Sequence, residues 1–104
     1  MKAFFALLGL SVLAMNVQAE THHVEIKKYK FIPQHIEINA GDTVVWTNKE
    51  KRQYHSVWFK SLNPEEPEYV FPDETVTMTF NDAGELNYEC GPHPEMTGSV
   101  SVVK

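Results

Sequence analysis

Short apolar runs with a period of two residues constrain the fold of this chain more than any other feature. The alternating apolar positions are Val24 and Ile26; Ile36 and Ile38; Val44 and Trp46; Val57 and Phe59; Val76, Met78 and Phe80; Leu86, Tyr88 and Cys90; and Val100 and Val102. Because successive side chains of a β-strand point to opposite faces, each run predicts a strand with one buried face. No helical period is sustained, so we expect an all-β fold.

Polar stretches that contain glycine, proline or asparagine separate these runs. They are IPQH, NAGDT, TNKEK, LNPEEPE, FPDE, NDAGE and CGPHPEMTG. Short strands separated by such turns are typical of an antiparallel sandwich or barrel that closes around one core.

The first 19 residues have the features of a secretory signal peptide. Lys2 supplies a positive charge, AFFALLGLSVLAM is apolar but short for a membrane span, and VQA ends in a small residue at Ala19. We therefore predict that residues 1–19 are cleaved on export to the periplasm. Residues 20–104 then form one domain with no membrane span.

The charge of this predicted mature chain argues against some partners. Without Lys2 the chain carries 14 acidic and 8 basic side chains, a formal charge of −6. Nucleic-acid binding needs clustered lysine and arginine, so we expect none. The acids concentrate in NPEEPEY and PDE, which form either a solvated face or a contact for a basic protein partner.

Cys90 is the only cysteine of the chain, and a histidine and a methionine follow it at equal steps. In an oxidising compartment a lone cysteine is buried, joined to a second chain or bound to a metal. Pro92 and Pro94 stiffen the path from Cys90 through His93 to Met96. A stiff loop can direct a thiolate, an imidazole and a thioether to one point. These are three of the four ligands of a blue-copper site.

A blue-copper site needs one more histidine, and the chain offers four candidates. They are His22, His23, His35 and His55. We choose His55, since it opens the alternating run YHSVWF, which a sandwich can set against the Cys90 loop. The thioether favours copper over zinc, because structural zinc sites use cysteine, histidine or carboxylate.

In these residues the chain resembles the cupredoxins, and among them the amicyanins and plastocyanins. The resemblance covers nearly all of the predicted mature chain and is most specific in GDTVVWTN and AGELNYECGPHPEM. It implies a small antiparallel Greek-key β-sandwich with Trp46 in its core. It also implies one type 1 copper ion bound by His55, Cys90, His93 and Met96, with the His93 ring edge as the route for electrons.

Three residues depart from the cupredoxin pattern. Ser56 stands where an asparagine usually ties the two copper-bearing loops together, so we expect a weaker tie. Tyr54 replaces a frequent proline. Glu95 lies inside the ligand loop, near the apolar docking patch that the family usually presents around the exposed histidine. These departures bear on the redox partner and the reduction potential.

The sequence Glu20-Thr21-His22 suggests a second copper site. Cleavage after Ala19 places a histidine third from a free amine. The amine, two deprotonated amides and the imidazole can form a square-planar nitrogen site suited to Cu(II) or Ni(II). The alternative is that His22 and His23 are simply solvated ahead of the first strand.

Two functions of different classes remain open from the sequence. The first is a soluble, monomeric electron carrier with one copper ion per chain, which docks transiently to a redox protein such as a c-type cytochrome or a dehydrogenase. The second is a copper-binding protein of copper tolerance or delivery. We expect no enzymatic activity, because four side-chain ligands leave no open metal position for a substrate.

Overall fold

The computed structural model describes residues 18–104, so most of the predicted signal peptide lies outside the described residues. Seven strands form: β1 (Thr21–Lys27), β2 (Lys30–Ile32), β3 (His35–Asn39), β4 (Asp42–Asn48), β5 (Thr75–Phe80), β6 (Gly84–Glu89) and β7 (Thr97–Val103). Nothing in this part of the chain is a helix of the length and apolarity that crossing a membrane requires.

The seven strands form two sheets around a shared core. The first sheet has the order β2-β1-β4-β5 and the second the order β3-β7-β6. The pairs β1–β2, β4–β5 and β6–β7 are antiparallel, whereas β1–β4 and β3–β7 are parallel. The all-β sandwich is confirmed, with mixed rather than wholly antiparallel pairing. The period-two pattern gives a strand one buried face whether its neighbour runs parallel or antiparallel to it. The pattern therefore did not predict the parallel pairs.

Trp46 lies at the centre of the core and joins the two sheets. It is fully buried on β4, and its Nε1–H donates a hydrogen bond to Tyr88 Oη on β6 at 3.1 Å. Burial raises the pKa of Tyr88 to about 12. The rings of Phe59 and Phe80 pack edge-on against Trp46. The core positions expected for Trp46 and Tyr88 are therefore confirmed.

The prediction of a strand at YHSVWF is wrong, although Val57 and Phe59 are buried as expected. His55 makes an isolated bridge to Val70, and Trp58 makes another to Glu89 at the end of β6. Val70 precedes β5 of the first sheet, whereas β6 belongs to the second sheet. Since the two partners belong to different parts of the molecule, neither bridge extends into a ladder. Residues 55–59 instead run from the bridge with Val70 to the bridge with Glu89 without forming a strand.

Candidate metal centre

Two imidazoles and one cysteine sulfur converge at one end of the sandwich. Cys90 Sγ lies 3.5 Å from His55 Nδ1 and 3.5 Å from His93 Nδ1. All three ligand atoms lie within 4.8 Å of one another. His55 and Cys90 are fully buried, while His93 is partly exposed. Residues that are 35 positions apart in the sequence therefore meet at a mostly buried site with one accessible ring.

The Cys90 loop is closed by its own backbone. The N–H of His93 donates to Cys90 O at 3.1 Å, and the N–H of Met96 donates to His93 O at 2.9 Å. The N–H of Cys90 in turn donates to Met96 O at 3.0 Å. Pro92 and Pro94 occupy positions between these donors, where the missing N–H leaves the closure intact. Buried Met96 thus lies in the same closed loop as Cys90 and His93.

Glu50 holds the His55 ring from the side opposite Cys90. Its Oε2 lies 2.9 Å from His55 Nε2 and accepts the N–H of Tyr29 at 3.0 Å. Burial pushes the pKa of Glu50 upward, but hydrogen bonds from Tyr29 and His55 outweigh burial and keep the pKa below its ordinary value. A carboxylate behind a metal-binding imidazole fixes its tautomer and orientation. Sequence reasoning missed Glu50, because nothing in the turn TNKEK distinguishes it from an ordinary solvated acid.

Ser56 joins the His55 segment to the Cys90 loop. Its Oγ accepts the N–H of Gly91 at 2.8 Å, and its own N–H donates to Cys90 Sγ at 3.4 Å. Burial raises the pKa of the Cys90 thiol, and hydrogen bonding from Ser56 opposes that rise. A serine therefore does tie the two loops. Whether the tie is weaker than one made by asparagine stays a prediction.

Tyr29 packs edge-on against the two histidine rings. Its ring centroid lies 4.9 Å from that of His93 and 5.5 Å from that of His55, with the rings nearly perpendicular. Lys28 and Tyr29 form the two-residue turn between β1 and β2, with φ of 54° and 59°. Positive φ at non-glycine residues costs on the order of 1–3 kcal/mol each. The N–H of Tyr29 on Glu50 helps to hold this strained turn beside the site.

The other candidate histidines lie away from Cys90. His35 Nδ1 is 2.7 Å from Ser99 Oγ, and His22 Nε2 is 2.9 Å from Asp42 Oδ2. His23 is exposed on β1. His55 is thus the candidate whose ring nitrogen lies beside the sulfur, and its role as a ligand stays a prediction.

The spacing of the donor atoms fits a tetrahedral metal ion, and their chemistry fits copper. Metal–sulfur and metal–nitrogen bonds of about 2.3 and 2.0 Å that meet at about 110° separate the two donors by about 3.5 Å. Both measured sulfur–nitrogen separations are 3.5 Å. Two imidazoles and a thiolate with a methionine nearby are the ligands typical of a blue-copper electron-transfer site.

Sequence comparisons identify relatives along nearly the whole chain. A family model described as a cupredoxin-like domain matches residues 1–102. The chain is 36% identical to the amicyanin of Paracoccus versutus over 94 residues, which are 88% of this chain and 71% of the relative. It is 36% identical to amicyanin-alpha of Methylorubrum extorquens over an alignment of 108 positions that covers 96% of this chain and 90% of the relative. It is 34% identical to chloroplastic plastocyanin of Tetradesmus obliquus over an alignment of 106 positions that covers 91% of this chain and 71% of the relative.

Solved structures of amicyanin have the same fold. The crystal structure of the Paracoccus versutus protein superimposes with a TM-score of 0.72 at 35% identity over 86% of each chain. The Cu(I) form of an amicyanin variant gives a TM-score of 0.73 at 30% identity, covering 86% of this chain and 87% of that one. Fold, relatives and donor atoms agree on one type 1 copper ion per chain as the cofactor. The chain belongs to the cupredoxin-like family.

Proposed function

We propose that this protein is an exported electron carrier in which His55, Cys90, His93 and Met96 bind the type 1 copper ion. Bound there, copper supplies a one-electron couple between Cu(II) and Cu(I). The observation that carries the proposal is the position of Cys90 Sγ, 3.5 Å from a ring nitrogen of both His55 and His93.

The protein holds these donors with contacts that do not depend on the metal. Glu50 holds the His55 ring, Ser56 joins the two segments, and backbone hydrogen bonds close the Cys90 loop. Donors fixed in this way change position little when the charge at the site changes by one. Such preorganisation lowers the reorganisation energy of each electron transfer, because the protein dipoles around the site are already in place.

The partly exposed ring of His93 is the proposed point of electron entry and exit. His55 and Cys90 are 0% exposed, so a partner cannot reach the site through them. Pro94 and Glu95 next to His93 are exposed, and they form part of the proposed contact surface. The partner in this proposal is a redox protein such as a c-type cytochrome or a dehydrogenase, which docks transiently to a monomer.

Export to the periplasm, with removal of residues 1–19, belongs to the same proposal. All seven strands of the described chain lie between Thr21 and Val103, so cleavage after Ala19 removes none of them. The intact mass of protein recovered from the periplasm tests the cleavage position. A mature chain that begins at Glu20 is expected, and a full-length chain in the cytoplasm contradicts export.

The copper assignment is tested on residues 20–104 with one equivalent of Cu(II). An intense blue band and reversible voltammetry are expected in the wild-type protein, and both are lost in Cys90→Ala and His55→Ala. His35→Ala serves as the matched control, because that histidine bonds to Ser99 outside the site. A blue band that survives Cys90→Ala, or that His35→Ala abolishes, contradicts the assignment.

A role in copper tolerance or delivery is the second candidate. The observation that favours it is a separate group of metal-binding side chains at Glu20, His22 and Asp42. The two roles differ in kinetics. A carrier exchanges electrons with a cytochrome much faster than it yields copper to a chelator, whereas a delivery protein releases the ion readily.

A further inference from the structure

Glu20, His22 and Asp42 bring three side chains of metal-ligating types together, apart from the copper centre. Their ligand atoms lie within 4.8 Å of one another. The group lies where the parallel neighbours β1 and β4 begin, whereas Glu50 follows the other end of β4. β4 runs seven residues from Asp42 to Asn48, so about 20 Å of strand separates the two ends.

We propose that these three side chains bind a second divalent ion, Cu²⁺ or Zn²⁺, through imidazole nitrogen and carboxylate oxygen. Both ions accept this mixture of donors. His22 Nε2 lies 2.9 Å from Asp42 Oδ2. Two donor atoms that each lie about 2.0–2.1 Å from one metal ion, with an angle of about 90° between the two bonds, are separated by the same distance. The pair therefore needs little movement to accept an ion, and the exposed Glu20 side chain supplies a third donor.

Asp42 is oriented for this role by backbone groups. It is 1% exposed, its Oδ1 accepts the N–H of Glu20 at 2.9 Å, and its Oδ2 accepts the N–H of Asn39 at 3.0 Å. Hydrogen bonds from Glu20, His22 and Asn39 lower the pKa of Asp42, so the carboxylate is charged at neutral pH. Outer hydrogen bonds of this kind orient metal ligands in proteins.

His22 provides access from solvent. Its side chain is 27% exposed, whereas the carboxylate behind it is buried. An incoming ion takes the place of the hydrogen between His22 Nε2 and Asp42 Oδ2. The neutral ring then carries its proton on Nδ1, so Nε2 is free to bind the ion.

The geometry favours these side chains over the amine-and-amide site suggested by the sequence. Thr21 and His22 already belong to β1, and they pair with Thr43 and Val44 of β4. Glu20 O also accepts the N–H of Thr43 at 2.9 Å. A square-planar amide site requires these residues to leave the sheet. The side-chain site needs neither that rearrangement nor a free amine at Glu20.

The test compares chains 18–104 and 20–104, which both contain every described strand. After the type 1 site is filled, a second equivalent of Cu²⁺ is titrated with calorimetry and electron paramagnetic resonance. Both chains are expected to bind one further ion with a tetragonal nitrogen–oxygen signal. His22→Gln is expected to weaken this binding at least about 100-fold, the upper end of the loss seen when only an outer partner is removed.

His23→Gln is the matched control, because His23 is the neighbouring histidine on the opposite face of β1. It is expected to leave the second site unchanged. The blue band must be equal in all variants, which shows that the sandwich is folded. Binding by chain 20–104 alone, with none by chain 18–104, assigns the ion to the amine and amides and overturns the proposal. Equal affinity of His22→Gln and His23→Gln also overturns it.

Discussion

Replacing Ser56 by alanine tests how the two segments of the copper site are held together. The change removes the acceptor of the Gly91 N–H, which lies 2.8 Å from Ser56 Oγ. A net hydrogen bond is worth about 0.5–1.5 kcal/mol, and a buried donor left without a partner costs about 1–3 kcal/mol. Gly91 is only partly buried, so water can compensate part of this loss. We expect the free energy of unfolding to fall by about 1–2 kcal/mol.

The measurement is guanidinium unfolding of the reduced, metal-free protein, with thermal unfolding as a second readout. The midpoint is expected to fall while the slope with denaturant stays constant, since the surface exposed on unfolding is unchanged. In a domain of this size Tm falls by about 4–8 °C per kcal/mol. Ser61→Ala is the control, because Ser61 is exposed and its loss is expected to change stability by less than about 0.5 kcal/mol.

The blue spectrum of Ser56→Ala is expected to persist, because Glu50 and the backbone bonds of the Cys90 loop are untouched. The tie between the segments is weaker, so copper dissociates faster. Equal stability of Ser56→Ala and Ser61→Ala refutes the reasoning, since it shows that the Gly91 bond contributes nothing. Loss of the blue band without loss of stability also refutes the reasoning, since it shows that Ser56 acts on copper binding and not on the stability of the fold.

Three further predictions concern other contacts. Gly98→Ala places a Cβ 2.5 Å from Tyr88 Oη and is expected to cost about 1–3 kcal/mol of unfolding free energy, measured with denaturant. Glu50→Gln removes the negative charge behind His55 and is expected to weaken copper binding about 10–100-fold and to raise the reduction potential, measured by competition and voltammetry. The lowered pKa of Asp42 stabilises the fold above its ordinary pKa of about 4, and this contribution is lost as the pH falls further. Urea titrations from pH 6 to about pH 2 are therefore expected to show a smaller acid loss in Asp42→Asn.

The alternating apolar pattern was sufficient to predict the buried face of most strands. Val24 and Ile26 on β1, and Val44 and Trp46 on β4, are buried as predicted. The pattern could not predict that β1 and β4 run parallel. Side-chain alternation specifies which face meets the core, whereas strand partners depend on contacts between distant parts of the chain.

The candidate site was predictable to the extent that its residues lie close together in sequence. Cys90, His93 and Met96 share one short loop, and their chemistry is visible in the sequence. His55 was chosen from a predicted strand that does not form, since its bridge to Val70 is isolated. The choice still agrees with the geometry, because His55 Nδ1 lies 3.5 Å from Cys90 Sγ. Glu50 was not predictable, since its contact with His55 depends on how a polar turn folds.

Different contacts determine the stability of the sandwich and the properties of the copper site. The Trp46–Tyr88 hydrogen bond joins the two sheets within the core, whereas Glu50 contacts the His55 ring outside the strand ladders. Changes at Tyr88 are thus expected to alter the free energy of unfolding with little effect on the reduction potential, and changes at Glu50 the reverse. Such a separation allows a cupredoxin to vary its potential and partner on a constant sandwich.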